Sequence, residues 1–227
     1  MLLSGEIVVA ARSSPLSRVQ VDEVLAELRS FYSNIYFTSH WVTTTGDKDL
    51  VTSLRNMDKT NFFTNEIDQM LLEKKCRIAI HSAKDLPDPL PKGLRCIALT
   101  KGVDSSDVIV FRDGDSLSKL QKNAKVATSS IRREEMIKDL RKNFLCVDIR
   151  GTIEERLKKL DRGEVDALVI AEAALIRLGL TSRNRIQLPG PTALYQGQLA
   201  VVSREEDEEM VELFTCIDVR KKESIFT

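Results

Sequence analysis

The sequence predicts an α/β fold in two lobes, each a mixed, mostly parallel sheet with flanking helices. Short apolar runs alternate with segments whose apolar residues recur near every 3.6 positions. Strands that alternate with helices imply largely parallel pairing. The alternation is long enough for two sheets, and 227 residues suit two units of roughly 100 residues each.

The elements follow in order. EIVVAAR (6–12) is an apolar strand run. Leu16, Val21, Val24, Leu25, Leu28 and Phe31 then keep helical spacing over 15–31. IYFTSHWV (35–42) reads as a strand. Ile67, Met70 and Leu71 mark a helix over 63–74, and strands follow at 77–82 and 95–99. A second series opens with DVIVF (107–111) and AKVATSS (124–130). A helix spans 130–142, and FLCVDI (144–149) is a strand. TIEERLKKLDRG (152–163) is a helix that stops at Gly163. VDALVIA (165–171) is a strand and AEAALIRLGL (171–180) a short helix. QLAVVS (198–203) and an acidic-faced helix over 205–217 complete the chain. The expected division is residues 1–100 plus 194–227 in one lobe and 101–193 in the other, with crossings near 100 and 190.

Bulk composition narrows the partners. Lys plus Arg equal Asp plus Glu, so the formal net charge is zero. A nucleic-acid binder normally shows a basic excess, and nucleic acid is not expected. No apolar run approaches the roughly 20 residues that span a bilayer, and MLLSGEIVVAARSS does not resemble a secretory signal. No membrane association is expected, and a monomer is. Cys76, Cys96, Cys146 and Cys216 are far apart, and the histidines are His40 and His81. Neither set has metal-ligand spacing, so no metal is expected. Unpaired thiols suggest a cytoplasmic setting. Cys76, Cys96 and Cys146 lie in or beside apolar runs and read as core residues.

HSAKDLPDPLP (81–91) follows a strand and then excludes continued helix with Pro87, Pro89 and Pro91. Lys84 and Asp85 therefore sit on a stiff connector at a strand's carboxyl end, where open α/β sheets bind ligands. His81 is expected to be structural, with its imidazole bonding the turn. Arginines and serines recur at other strand ends. Arg12 and Ser14 close the first strand. Ser129, Ser130, Arg132 and Arg133 lie at a strand-to-helix junction. Arg150 follows another strand, and Arg156 and Arg177 lie in the helices beyond. Helix N-termini attract anions, and arginine holds carboxylates bidentately. A polyanionic ligand is implied. With no P-loop and no G-x-G-x-x-G, a nucleotide is not favoured. A carboxylate such as Asp85 among arginines can stabilise a cation or accept N–H bonds. The ligand then has negative arms and an N–H-bearing core.

ARSSPLSRVQVDEV (11–24), TTGDKDL (44–50), the long stretch from Phe63 to Leu94, ATSSIRR (127–133), the stretch from Ile149 to Leu180 and YQGQLAV (195–201) resemble the porphobilinogen deaminase (hydroxymethylbilane synthase) family, in its order. The resemblance implies head-to-tail condensation of four porphobilinogens to a linear tetrapyrrole for haem synthesis, with release of ammonia. It implies two lobes like type II periplasmic binding proteins, with the active cleft between them. By the same resemblance, Asp85 bonds pyrrole N–H groups and stabilises an azafulvenium cation, and Lys84 accompanies it. Arg12, Arg132, Arg133, Arg150, Arg156 and Arg177 hold acetate and propionate arms, with hydroxyl contacts from Ser14, Ser129 and Ser130.

The resemblance also implies a dipyrromethane cofactor, tethered in the family through a cysteine of a third domain. No cysteine here matches that position, Cys216 included, so a cofactor would be held without a tether or through another thiol. The alternatives are a two-lobe anion-binding relic and a fragment of a longer deaminase. Three further departures stand out. NMDKTN (56–61) replaces a flexible glycine-lysine segment, Tyr195-Gln196-Gly197 stands for G-Q-G, and Val202 takes an acidic position.

Overall fold

Ile7–Arg12 forms the strand β1, whose branched and small side chains pack almost entirely out of water. Ser14 then starts the helix α1 (Pro15–Arg29). Its hydroxyl accepts the Ser17 N–H at 3.3 Å, and Pro15 supplies a preset φ at the first helical position. Val21, Val24, Leu25 and Leu28 form the buried stripe of α1. The computed structural model describes residues 6–55 and 61–222. Of NMDKTN, all but Asn61 lies outside the described residues.

The first unit continues with β2 (Phe37–Val42), α2 (Thr45–Lys48), α3 (Asn65–Leu72), β3 (Ile78–Ser82) and β4 (Leu94–Leu99). Residues Ala83–Asp85 make a single 3₁₀ turn before the prolines. The second series is β5 (Asp107–Phe111), β6 (Lys125–Ala127), α4 (Ile131–Leu140), β7 (Leu145–Val147), α5 (Ile153–Asp161), β8 (Ala167–Ala171), α6 (Glu172–Arg177) and β9 (Arg185–Leu188). The chain then forms β10 (Leu199–Arg204), α7 (Glu208–Phe214) and α8 (Val219–Lys222). Most elements fall where the periodicity puts them, with frayed ends. The short α2, β9 and α8 lack a sequence signal. In β9 only Leu188 is buried, so it carries no apolar run.

Two five-stranded mixed sheets result, in the orders β2-β1-β3-β10-β4 and β7-β6-β8-β5-β9. β1 runs parallel to β2 and β3, while β10 is antiparallel to β3 and β4. The second sheet repeats the scheme. β6 runs parallel to β7 and β8, and β5 is antiparallel to β8 and β9. Each sheet thus contains one strand that reverses direction.

Among the described residues, one unit holds the chain up to Lys48, Asn61 to Val103, and Gln198 onward. The other holds Asp49 to Arg55 and Asp104 to Gly197. The crossings therefore fall a few residues beyond the expected ones. Residues 49–55 also join the second unit, which nothing in their sequence signals. Their bonds explain it. Asp49 O accepts from Arg150 Nη2 at 2.6 Å, and Arg55 pairs with Glu134 at 3.3 Å.

The core of the first unit is double-sided. Val21, Val24 and Leu28 of α1 meet Met210 and Phe214 of α7 on one face of the sheet. Ile67 and Leu71 of α3 pack with Ala10, Ala79 and Val202 on the other. Val202 is fully buried there, so an apolar side chain suits the position where the family resemblance expects an acid. In the second unit Ile109, Phe111, Val126, Ile137 and Val169 form a separate core.

Candidate active site

In the first unit the functional residues collect where β1 and β3 end side by side. The two strands are parallel, with Ala10 opposite Ala79, so Arg12 and His81 finish at the same sheet edge. Arg12, Ser14, Gln20, His81, Ser82 and Asp85 help line a cavity of about 80 Å³ there. Gln20 Nε2 donates to Ser82 Oγ at 2.8 Å and ties α1 to the end of β3. Asp85 is exposed on the 3₁₀ turn, with no ion-pair partner among the described residues. Lys84, half-buried on the same turn, is not among the lining residues.

Arg12 is held from two sides. Asp47 accepts from its Nε at 3.1 Å and also from its Nη2, and the Phe63 ring lies 4.4 Å from the guanidinium carbon. The T-x-G-D stretch builds this clasp. Thr44 N–H and hydroxyl donate to Asp47 Oδ2 at 3.0 and 2.8 Å. Gly46 is needed because a Cβ there would lie 2.4 Å from the Phe63 ring. Burial alone would raise the Asp47 carboxyl. The Arg12 hydrogen bond and charge, with the Thr44 donors, outweigh it and hold the group below the usual carboxylate range. Arg12 Nη1 makes no hydrogen bond among the described residues and can donate to another acceptor.

His81 departs from expectation. Its side chain bonds nothing in the turn, and its Nε2 is buried without a hydrogen-bond partner among the described residues. Burial first, and then the Arg12 charge, push its pKa down to about 4. The imidazole is therefore neutral near pH 7.

In the second unit the sites gather where β6, β7 and β8 end. Ser129 donates to Ile149 O, which ties the end of β6 to the residue before Arg150. Ser130 occupies the N-cap position of α4, but its side chain makes no capping bond. Arg150 is buried, and Arg156 Nε donates to Gly151 O at 2.8 Å. Gly151 adopts φ +108, and a Cβ there would meet Glu155 Oε2 at 2.6 Å. Glu155 is occupied in a capping box with Thr152 that starts α5. Arg177 Nη2 donates to Gly197 O at 2.8 Å, in the loop that carries Gln196.

Arg132 and Arg133 turn inward on one side. Both grip one carboxylate, that of Asp107. Arg133 reaches Oδ1 through Nε at 3.0 Å and Nη2 at 2.6 Å, and Arg132 Nη2 lies 2.7 Å from Oδ2. Asp107 has no exposed surface. Burial would raise its carboxyl, but the two arginines more than offset this and lower it. Sequence reasoning missed Asp107 because β5 runs antiparallel. Its first residue, opposite Ala171, therefore lands beside the last residue of β8. The available signal was an acid opening a fully apolar strand. Asp47, Phe63, Gln20 and Gln196 also serve these sites, and their places in the sequence give no sign of it.

No cluster of metal-binding side chains occurs among the described residues. The four cysteines are free, and burial pushes the Cys76 thiol up to about 12. Cys216 packs against the first core.

Residues 7–212 match the family model described as porphobilinogen deaminase, dipyromethane cofactor binding domain. Porphobilinogen deaminase of Desulforudis audaxviator is 38% identical over 216 residues, which cover 94% of this chain and 70% of that protein. The probable porphobilinogen deaminase of Chlamydia pneumoniae is 37% identical and is covered to 88% of its length, with 92% of this chain. Among solved structures, a periplasmic substrate-binding protein of an ABC transporter from Coxiella burnetii shares the fold. Its TM-score is 0.60 at 13% identity, covering 93% of this chain and 91% of that one. A putative methionine-binding lipoprotein from Bacillus subtilis gives 0.56 at 14%, over 97% and 93%. Sequence identity across nearly the whole chain, on a fold with two lobes of this kind, makes the chain a member of the porphobilinogen deaminase family, transferases of porphyrin biosynthesis, and porphobilinogen deaminase is its function.

Proposed function

We propose that this chain performs the head-to-tail condensation of porphobilinogen through Asp85, with Lys84 beside it, and through the edge arginines, toward haem in the cytoplasm. What carries the reading is one contrast. Guanidinium groups stand at strand ends, Arg12 in the first unit and several in the second, while the exposed Asp85 carboxylate has no cation of its own among the described residues. Breaking the aminomethyl C–N bond expels ammonia and leaves a cation on the substrate. An ionised Asp85 would stabilise that cation as it develops and accept the pyrrole N–H. Arg12, through Nη1, and Ser14 would take a carboxylate arm in the first unit.

The donor set of the second unit suits a group with several carboxylates. Ser129, Ser130, Arg132, Arg133, Arg150, Arg156 and Arg177 would hold the carboxylate arms of a dipyrromethane, which when bound supplies the pyrrole carbon that starts the chain, and those of the incoming porphobilinogen. We assign no tether to Cys76, Cys96 or Cys146. A thiol must ionise to act as a nucleophile, and burial opposes this at Cys76, Cys96 and Cys146.

The test is incubation with porphobilinogen, with and without linear tetrapyrrole as a source of primer, while ammonia and pyrrole products are followed. Turnover is expected, falling roughly 100- to 1,000-fold in Asp85→Asn. No turnover and no tetrapyrrole binding under either condition would reject the reading and leave an anion-binding relic.

A further inference from the structure

Two guanidinium groups share the Asp107 carboxylate, and that arrangement has consequences for anion binding. A buried carboxylate needs one cation to balance its charge. Here it has two, so the cluster keeps one net positive charge. Three segments converge on it: the start of β5, the first turn of α4, and the loop before β10. From that loop Gln196 Nε2 donates to Asp107 Oδ1 at 2.9 Å and to Ser105 O at 2.7 Å. The amide thereby fixes the carboxylate from a third direction. Arg132 Nη1 is anchored separately on Pro191 O at 2.5 Å. Neither Arg132 Nε nor Arg133 Nη1 has a partner among the described residues, and neither is a buried atom. Arg133 thus hydrogen-bonds Asp107 Oδ1 on its inward edge, Arg132 faces Oδ2 as an ion pair without a hydrogen bond, and the outward edges are left for a ligand.

We propose that Asp107 is a positioning residue for the carboxylate arms of porphobilinogen: it sets the planes of Arg132 and Arg133 and cancels one of their two charges. The cluster then accepts a single carboxylate in one orientation. The inference rests on the arm-binding role proposed above for the two arginines. Without Asp107, the pair would carry two positive charges and lose its alignment. It would bind a small symmetric anion better and a pyrrole arm worse.

Asp107→Asn tests this with two readouts. In turnover of porphobilinogen, KM should rise about tenfold to a hundredfold, the range of one charge-assisted hydrogen bond, while kcat changes less than about threefold. In thermal melts, sulfate should stabilise the variant at about tenfold lower concentration than it does the native chain, since sulfate would take the vacated place. A residue that merely supported the fold would not create a new sulfate site. Should the variant fail to fold in low salt, sulfate is expected to restore folding. Failure to fold in sulfate as well would make Asp107 a folding residue and overturn the proposal. Unchanged KM together with unchanged sulfate response would overturn it too. If the native chain itself does not turn over porphobilinogen, the reading of function falls, and the sulfate comparison still judges Asp107.

Discussion

Acidification should cost this protein stability at His81, besides what its arginine-paired carboxylates lose. Its folded pKa is about 4 against an ordinary value of 6.5, because the ring is buried and faces the Arg12 charge. Above pH 6.5 neither the folded nor the unfolded chain protonates it, and no cost arises. Below pH 6.5 the unfolded chain binds a proton that the folded chain refuses. Stability therefore falls as the pH drops from about 6.5 toward about 4 and levels off below that. A difference of about 2.5 units at 1.36 kcal/mol each sets the full loss near 3 kcal/mol, with about 2 kcal/mol of it reached at pH 5. Urea unfolding at pH 7 and pH 5, on the native chain and on His81→Gln, isolates this part. The arginine-paired carboxylates of Asp47, Asp107 and Asp207 titrate in both proteins and cancel in the comparison. The native chain should lose about 2 kcal/mol more than the variant between those pH values. An equal loss in both, or a His81 ring resonance that titrates near pH 6.5, would refute the reasoning. A neutral imidazole is a very weak acid near pH 7 and, with its pKa lowered, a weak base, so His81→Gln should keep turnover within several-fold.

Three further outcomes follow from local geometry. Gly151→Ala should destabilise by about 2 kcal/mol, seen as a lower urea midpoint, because a Cβ at φ +108 displaces Glu155 from its capping box. Tyr195 is a non-glycine residue at φ +61, so Tyr195→Gly should stabilise by about 0.5–1 kcal/mol in the same assay; a loss would show that the ring makes contacts worth more than the strain. Cys76, buried and with its thiol pushed up to about 12, should resist a thiol reagent at pH 8 in the native state and react in denaturant.

Periodicity along the chain was enough to determine the α/β class, the larger elements and the doubling of the sheet. Local patterns such as VDALVIA and TIEERLKKLDRG encode burial directly, and a strand or helix answers to its own side chains. The strand-end arginines and Asp85 were legible for the same reason, since a parallel strand that feeds a helix announces its carboxyl end. What those arginines hold was decided in three dimensions. Arg12 meets Asp47 from a segment 35 residues away, and Arg133 meets Asp107 across 26. Antiparallel β5 brings its first residue to the end of β8, so Asp107 reaches an edge that its place in the sequence does not suggest. The bonds of 49–55 to the second unit, and the neutral, unpartnered His81, likewise come from tertiary contacts. Charge compensation and desolvation act through space, and only the folded chain sets those distances.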